Sequence, residues 1–165
     1  MSSDIRILHL EDDPADARLL AEHLRRSGLQ CAITVVDSRE AFQTHLETGE
    51  FDVVLCDYHV PRFDGAEALA LARSLKLRLP FILVTGALGD ERAVDLLHNG
   101  ATDFVLKDRL ARLVPAIRRA LSEREALLRN EHTQAQLAVQ TLHTLARGSW
   151  TLRTTGSNAR MSSCI

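Results

Sequence analysis

The chain has 165 residues, 45% of them hydrophobic and 25% charged, and its 20 Lys+Arg against 22 Asp+Glu give a formal charge of −2. That composition is too apolar for a disordered polymer and fits one soluble domain with an appendage. The near balance of charge lacks the cationic surplus that grips a phosphate backbone, so no direct contact with nucleic acid is expected.

The first two-thirds alternate between strand and helix periods. Residues 5–10 form a short β-type run that ends in Glu11-Asp12-Asp13-Pro14. A helical pattern follows from about Ala15, with Leu19, Leu20 and Leu24 on one side, and stops at Ser27-Gly28, the expected C-terminal signal. Residues 31–36 read as a strand, and Ser38 as the N-cap of a helix through Leu46 that Gly49 ends. Residues 53–56 are a strand, 66–75 a helix, 81–84 a strand and 91–98 a helix closed by Asn99-Gly100. The fifth strand, 104–106, leads into a last helix. Strands that are nearly all apolar belong to a parallel sheet covered on both faces. Five βα units in this length predict an α/β fold with a doubly wound, five-stranded parallel sheet.

The last helix is longer than such a sheet needs. Pro115 suits a first turn, and neither Pro nor Gly recurs before Gly148. Positions 117, 121, 124, 128, 131, 135, 138, 142 and 145 keep heptad spacing and read Ile, Leu, Arg, Leu, Glu, Ala, Ala, Leu, Leu. Two charges and two alanines weaken that seam, which leaves open both a coiled coil and a solvated extension. From Gly148 onward the chain is polar and without period, and a disordered tail is expected over 148–165. The expected organisation is a domain over 4–122, a helical extension over 123–147 and that tail.

Some chemistries are disfavoured early. No apolar run is long enough to span a bilayer, and Asp4 and Arg6 interrupt the start before any signal-type core, so a cytoplasmic protein without membrane association is expected. Cys31, Cys56 and Cys164 are odd in number and lack CxxC spacing, and the seven histidines lack HxxxH or HExxH spacing. Neither a disulfide framework nor a zinc site is indicated. His132 lacks the surroundings of a phosphorylatable histidine, and Cys56 reads as strand packing.

In an open α/β sheet, ligands bind outside the carboxyl ends of the strands. Strand 1 ends there at Glu11-Asp12-Asp13, strand 3 at Asp57, strand 4 at Thr85 and strand 5 at Lys107. Packed carboxylates repel one another unless a cation lies between them. Oxygen-only donors from two strand ends suit Mg2+, which keeps several waters and shares positions with a phosphoryl group. A carboxylate beside such an ion can act as a nucleophile, while a hydroxyl and an ammonium opposite hold phosphoryl oxygens. The set points to phosphoryl transfer. Taken singly, each residue has a plainer role as a loop acid, a helix cap or a surface charge; their joint occurrence at four strand ends is what is specific.

The sequence here resembles the receiver domain of two-component response regulators over roughly 4–122. The matching runs are Leu10-Glu11-Asp12-Asp13-Pro14, Asp57-Tyr58-His59-Val60-Pro61 with Asp64-Gly65, Val84-Thr85-Gly86, and Gly100-Ala101 with Asp103-Phe104-Val105-Leu106-Lys107. The resemblance implies a flavodoxin-like sheet of order 2-1-3-4-5 and a phosphoprotein switch. Asp57 would accept a phosphoryl group from a histidine kinase or phosphotransfer protein. Asp12 would bind Mg2+ directly, Glu11 through water, with Asp57 and the backbone carbonyl of His59 as further ligands. Thr85 and Lys107 would hold the phosphoryl oxygens, and Thr85 with Phe104 would switch the face made by helix 91–98, strand 104–106 and the last helix (the α4-β5-α5 face, counting elements in chain order). Asp13 and Pro14 read as the turn into the first helix. The expected chemistry is confined to the protein's own aspartate, so it is not an enzyme on other substrates, and a homodimer through the α4-β5-α5 face or the C-terminal helix is a further expectation.

The chain departs from the common pattern at two places, positions 108 and 59. Asp108 follows Lys107 where many receivers have a cis proline, which implies a trans bond and another loop shape. His59 stands two residues after Asp57, where it would alter phosphoryl lifetime, and Gly86 should leave the phosphate accessible. A haloacid-dehalogenase-type phosphatase would want a second Asp at position 59, and a flavodoxin-like FMN protein a Ser/Thr/Gly-rich loop after strand 1; neither is present. A non-phosphorylated pseudo-receiver serving as a protein-interaction module is the remaining alternative, although no acid, Thr or Lys is missing.

Overall fold

A computed structural model describes residues 4–76, 78–86 and 90–154. Five strands and five α-helices alternate in chain order: β1 Ile5–Leu10, α1 Pro14–Arg26, β2 Cys31–Val36, α2 Arg39–Thr48, β3 Val53–Cys56, α3 Gly65–Leu75, β4 Phe81–Thr85, α4 Asp90–His98, β5 Asp103–Leu106 and α5 Leu113–Thr154. A 3-10 turn over Lys107–Arg112 joins β5 to α5. The sheet order is β2-β1-β3-β4-β5 and every pairing is parallel, so helices cover both faces as the sequence predicts.

Strand alternation builds two cores. On one face Leu8, Leu10, Val54, Cys56, Phe81 and Leu83 meet Phe42 and Leu46 of α2, Ala68, Leu69 and Ala72 of α3, and Leu96 of α4. On the other, Ile7, Val53, Leu55, Ile82, Val84 and Val105 meet Leu20 and Leu24 of α1 and Leu113, Ala116 and Ile117 of α5. The period of two thus sends successive residues of each central strand into different cores. Burial of these side chains, worth roughly 1.5–3 kcal/mol apiece, fixes the register that aligns the strand ends.

Helix starts follow local chemistry. Asp13 caps α1 by accepting the Ala15 N–H at 2.8 Å, with Pro14 at the first helical position. Ser38 caps α2, and Asp64 with Glu67 forms a reciprocal capping box at the start of α3.

Three expectations need correction. Leu19 is exposed while its neighbour Leu20 is buried, because adjacent helical positions point about 100° apart and Ala17, Leu20 and Leu24 take the inward side. The fifth strand begins at Asp103, whose pairing partner on β4 is Ile82. Finally, α5 does not stop before Gly148 but continues to Thr154, so residues 148–154 are helical rather than a disordered tail. An isolated Gly costs a helix only about 1 kcal/mol relative to Ala and need not end it. The remaining tail, 155–165, lies outside the described residues.

The chain separates into two compact units, Met1–Arg124 and Glu125–Ile165. The first contains the sheet and its covering helices. Within the second, every described side chain from Glu125 to Arg147 is exposed.

Candidate functional site

The sheet register brings the ends of β1 and β3 side by side, since Leu10 pairs with Cys56. The residues that follow are pinned by the backbone: the Glu11 N–H donates to the Val36 carbonyl and the Asp57 N–H to the Leu10 carbonyl, both at 2.9 Å. Glu11 and Asp57 are buried, Asp12 is exposed, and carboxylate oxygens of all three lie within 4.8 Å of one another. From the end of β5, the Lys107 ammonium donates to Asp57 Oδ2 at 3.0 Å and to Glu11 Oε2 at 2.8 Å. It also donates to Asp16 Oδ2 at 2.6 Å. Asp16 was not singled out from the sequence. It lies in the first turn of α1, where an acidic residue is ordinary on dipole grounds and carries no further signal.

One ammonium therefore offsets three carboxylates. Burial pulls the Lys107 pKa down, but hydrogen bonds to Asp16, Glu11 and Asp57 outweigh it and hold the value above the usual lysine range. Burial is the largest influence on Glu11 and raises its carboxyl pKa, against the opposing effects of Lys107 and the Asp13 N–H. Lys107 alone does not neutralise the pocket. The surplus of negative charge, and a donor set made only of oxygens, fit a divalent cation such as Mg2+ at Glu11, Asp12 and Asp57.

The β3–α3 loop shapes the opposite wall. The His59 N–H donates to Asp57 Oδ1 at 3.3 Å, and Gly65 donates to the Tyr58 carbonyl at 2.9 Å. The His59 ring is exposed and stands edge-on to Tyr58, with centroids 5.0 Å apart, while the Arg92 guanidinium of α4 lies 5.9 Å from the Tyr58 ring centroid. Gly65 packs so closely on Tyr58 that a Cβ there would come within 2.9 Å of its ring.

Thr85, at the end of β4, is fully buried, and its Oγ1 has no hydrogen-bond partner among the described residues. It pairs with Leu106, two residues beyond Phe104, and strand alternation turns Thr85 and Phe104 toward the same face. Phe104 is half-buried against the core of that face. A Cβ at Gly86 would meet nothing within 4 Å among the described residues. The described residues contain no cis peptide, and Lys107-Asp108 opens the 3-10 turn.

Two buried groups adjoin the site. His9 of β1 is almost wholly buried with Nδ1 unpartnered among the described residues; burial, then the nearby Lys107 charge, lowers its pKa to about 4. Cys56 is buried as expected, its thiol donating to the Asp57 carbonyl at 3.1 Å. Burial first, then the charge of Asp57, holds its pKa well above the thiol value, so it is no nucleophile.

A family model described as the response regulator receiver domain matches residues 7–118. The chain belongs to the response regulator receiver family. Among curated relatives, the transcription factor SKN7 of Candida albicans is 36% identical over 61% of this chain and 18% of its own length. The C4-dicarboxylate transport regulatory protein DctD of Pseudomonas aeruginosa is 33% identical over 81% of this chain and 29% of its own. The receiver chain thus spans about a fifth of the length of the first such relatives. Among solved structures, a CheY-like receiver domain from Methanospirillum hungatei shares 27% identity with a TM-score of 0.67, covering 75% of this chain and 98% of its own. The receiver domain of the sensor histidine kinase PA1611 of Pseudomonas aeruginosa shares 27% identity with a TM-score of 0.63, covering 73% and 99%, and holds a magnesium ion in its active-site cleft. No helix among the described residues is long and apolar enough to cross a membrane.

Proposed function

We propose that this receiver accepts a phosphoryl group on Asp57 from the phosphohistidine of a sensor histidine kinase or phosphotransfer protein. The observation that carries this reading is the convergence of Lys107 with Asp57, Glu11 and Asp16, beside three carboxylates within ligating distance of one another. An Asp57 carboxylate oxygen attacks phosphorus, the phosphorus–nitrogen bond of the donor breaks, and its imidazole leaves with the bonding pair. Mg2+ held by Glu11, Asp12, Asp57 and the His59 carbonyl would supply positive charge against the phosphoryl oxygens during transfer. Lys107 already lies on Asp57 and is placed to pair with the product phosphate. The unpartnered, buried Thr85 hydroxyl supports a role as the donor that closes on a phosphoryl oxygen, with Phe104 on the same face responding. The chemistry stays on the protein's own aspartate, and later attack by water returns the free carboxylate.

The partner face in this reading is α4-β5-α5. Val94 and Leu97 of α4 are large apolar side chains left exposed, and Arg119 of α5 is ion-paired with Asp103 of β5. Intact-mass spectrometry after incubation with acetyl phosphate and Mg2+ tests the acceptor. The expected result is one added phosphoryl group, absent from Asp57→Asn and after chelation. If neither labelling nor binding of a beryllofluoride mimic occurs, the reading is wrong.

A further inference from the structure

We infer that Asp16 is a positioning residue that acts through Lys107: it holds the ammonium toward α1 and so weakens the grip of the site on a phosphoryl group. The inference rests on the phosphoryl-acceptor reading above. A lysine ammonium has three N–H donors and no more. Lys107 directs them to three carboxylates, Asp16 Oδ2 at 2.6 Å, Glu11 Oε2 at 2.8 Å and Asp57 Oδ2 at 3.0 Å. A phosphoryl oxygen on Asp57 gains a Lys107 donor only when one of these contacts gives way. The shortest contact is to Asp16 and the longest is to the acceptor itself.

The three carboxylates are not equivalent. The side chains of Glu11 and Asp57 are 1% and 9% exposed, whereas that of Asp16 is 36% exposed, so Asp16 is the solvent-side partner of the ammonium. It stands on α1, whose start is fixed by the Asp13 cap and whose next residue, Ala17, is buried and donates its N–H to the Asp13 carbonyl. A residue fixed in that way does not follow Lys107 into the pocket. Asp16 also lies outside the group of Glu11, Asp12 and Asp57 that could share a cation, so it adds negative charge without serving as a ligand. A phosphoryl group carries about −1.5 to −2 charges at neutral pH. Asp16 opposes it twice, by repelling it and by occupying the lysine that would receive it. Without Asp16, Lys107 keeps two buried partners and has one donor free for a phosphoryl oxygen.

Beryllofluoride binding to the full chain at saturating Mg2+, followed by calorimetry, tests this. Asp16→Asn should tighten binding by about tenfold, a gain that damage to the fold does not produce. Asp16→Glu restores the carboxylate and should return the affinity toward wild type. Asp13→Asn removes an equal charge from a side chain that caps α1, and Asn caps as well as Asp. It should alter the affinity by less than about threefold. A second readout needs no metal. Lys76 is the one other lysine in the sequence, so isotopically labelled lysine gives two side-chain resonances, assigned with Lys76→Arg. In metal-free protein the Lys107 resonance should move in Asp16→Asn and stay in place in Asp13→Asn. Unchanged or weaker beryllofluoride binding by Asp16→Asn overturns the inference, and equal gains in the two variants reduce the effect to net charge and overturn it too. An unmoved Lys107 resonance overturns the action through that lysine. Where wild type labels on Asp57 with acetyl phosphate, these failures sink this inference alone; a wild type that neither labels nor binds the mimic removes the underlying function as well.

Discussion

Lys107 holds together charges that would otherwise repel. Replacing it by Met leaves Glu11, Asp16 and Asp57 without their shared cation. Removing one member of such a network typically costs about 3–5 kcal/mol when fully buried. Lys107 is 23% exposed, so solvent screening brings the expected loss to roughly 2 kcal/mol in urea titrations without divalent metal. Millimolar Mg2+ should restore much of it. Unchanged stability would show that the three acids do not strain the fold. His9 carries a separate pH signature. Its folded pKa of about 4 lies below the ordinary 6.5, so the unfolded chain binds the proton more readily. Its contribution to stability is therefore complete above pH 6.5 and lost as pH falls toward 4, on the order of 3 kcal/mol. In metal-free buffer, wild type should lose more stability than His9→Leu between pH 7 and pH 4.5; equal losses would show that the ring is not held neutral. Asp57, Thr85 and Lys107 were legible in the sequence because each ends an apolar run. Asp16 and His9 were not: one looks like a helix-start acid, the other like one more position in an alternating strand.

Elements are held by short-range devices that the sequence signals unevenly. The turn between α4 and β5 depends on Gly100, whose φ of +104° is open to glycine and strained for other residues. Arg73 of α3 reaches across to it, donating from Nε and Nη2 to the Gly100 carbonyl and from Nη1 to the Leu79 carbonyl. A Cβ at Gly100 would lie 3.1 Å from the Arg73 Nε. Gly100→Ala should therefore lower stability by about 1–2 kcal/mol from backbone strain alone, read as a shift in the urea midpoint at constant slope. No shift would mean that the turn relaxes to another conformation. The glycine itself was legible as a helix stop, but its clamp was not, since Arg73 is 27 residues away and reads as a surface cation. Strand positions were legible almost to the residue because full burial leaves unbroken apolar runs. The continuation of α5 through Gly148 was not, because a Gly-Ser pair looks like a terminator wherever a helix has already run long.

At the scale of the molecule, the two compact units imply separable behaviour. A chain stopped after Arg124 should keep the unfolding free energy of the full protein to within about 1 kcal/mol, since the sheet and both cores lie before that point. A larger loss would show that the helical extension supports the domain. The fold was legible because five βα units admit few topologies; the choice between a coiled coil and a solvated extension was left open because the seam is broken by charge. Synthesis order adds one more consequence of the lysine that ties the site together. Its partners lie 96, 91 and 50 residues earlier in the chain, so all three carboxylates leave the ribosome well before it. Until β5 docks on β4, Lys107 is not in place to offset them, and the charge at the carboxyl ends of β1 and β3 and in the first turn of α1 stands uncompensated. The strand that completes the sheet also completes the site, and an unfinished copy has nothing with which to answer a signal.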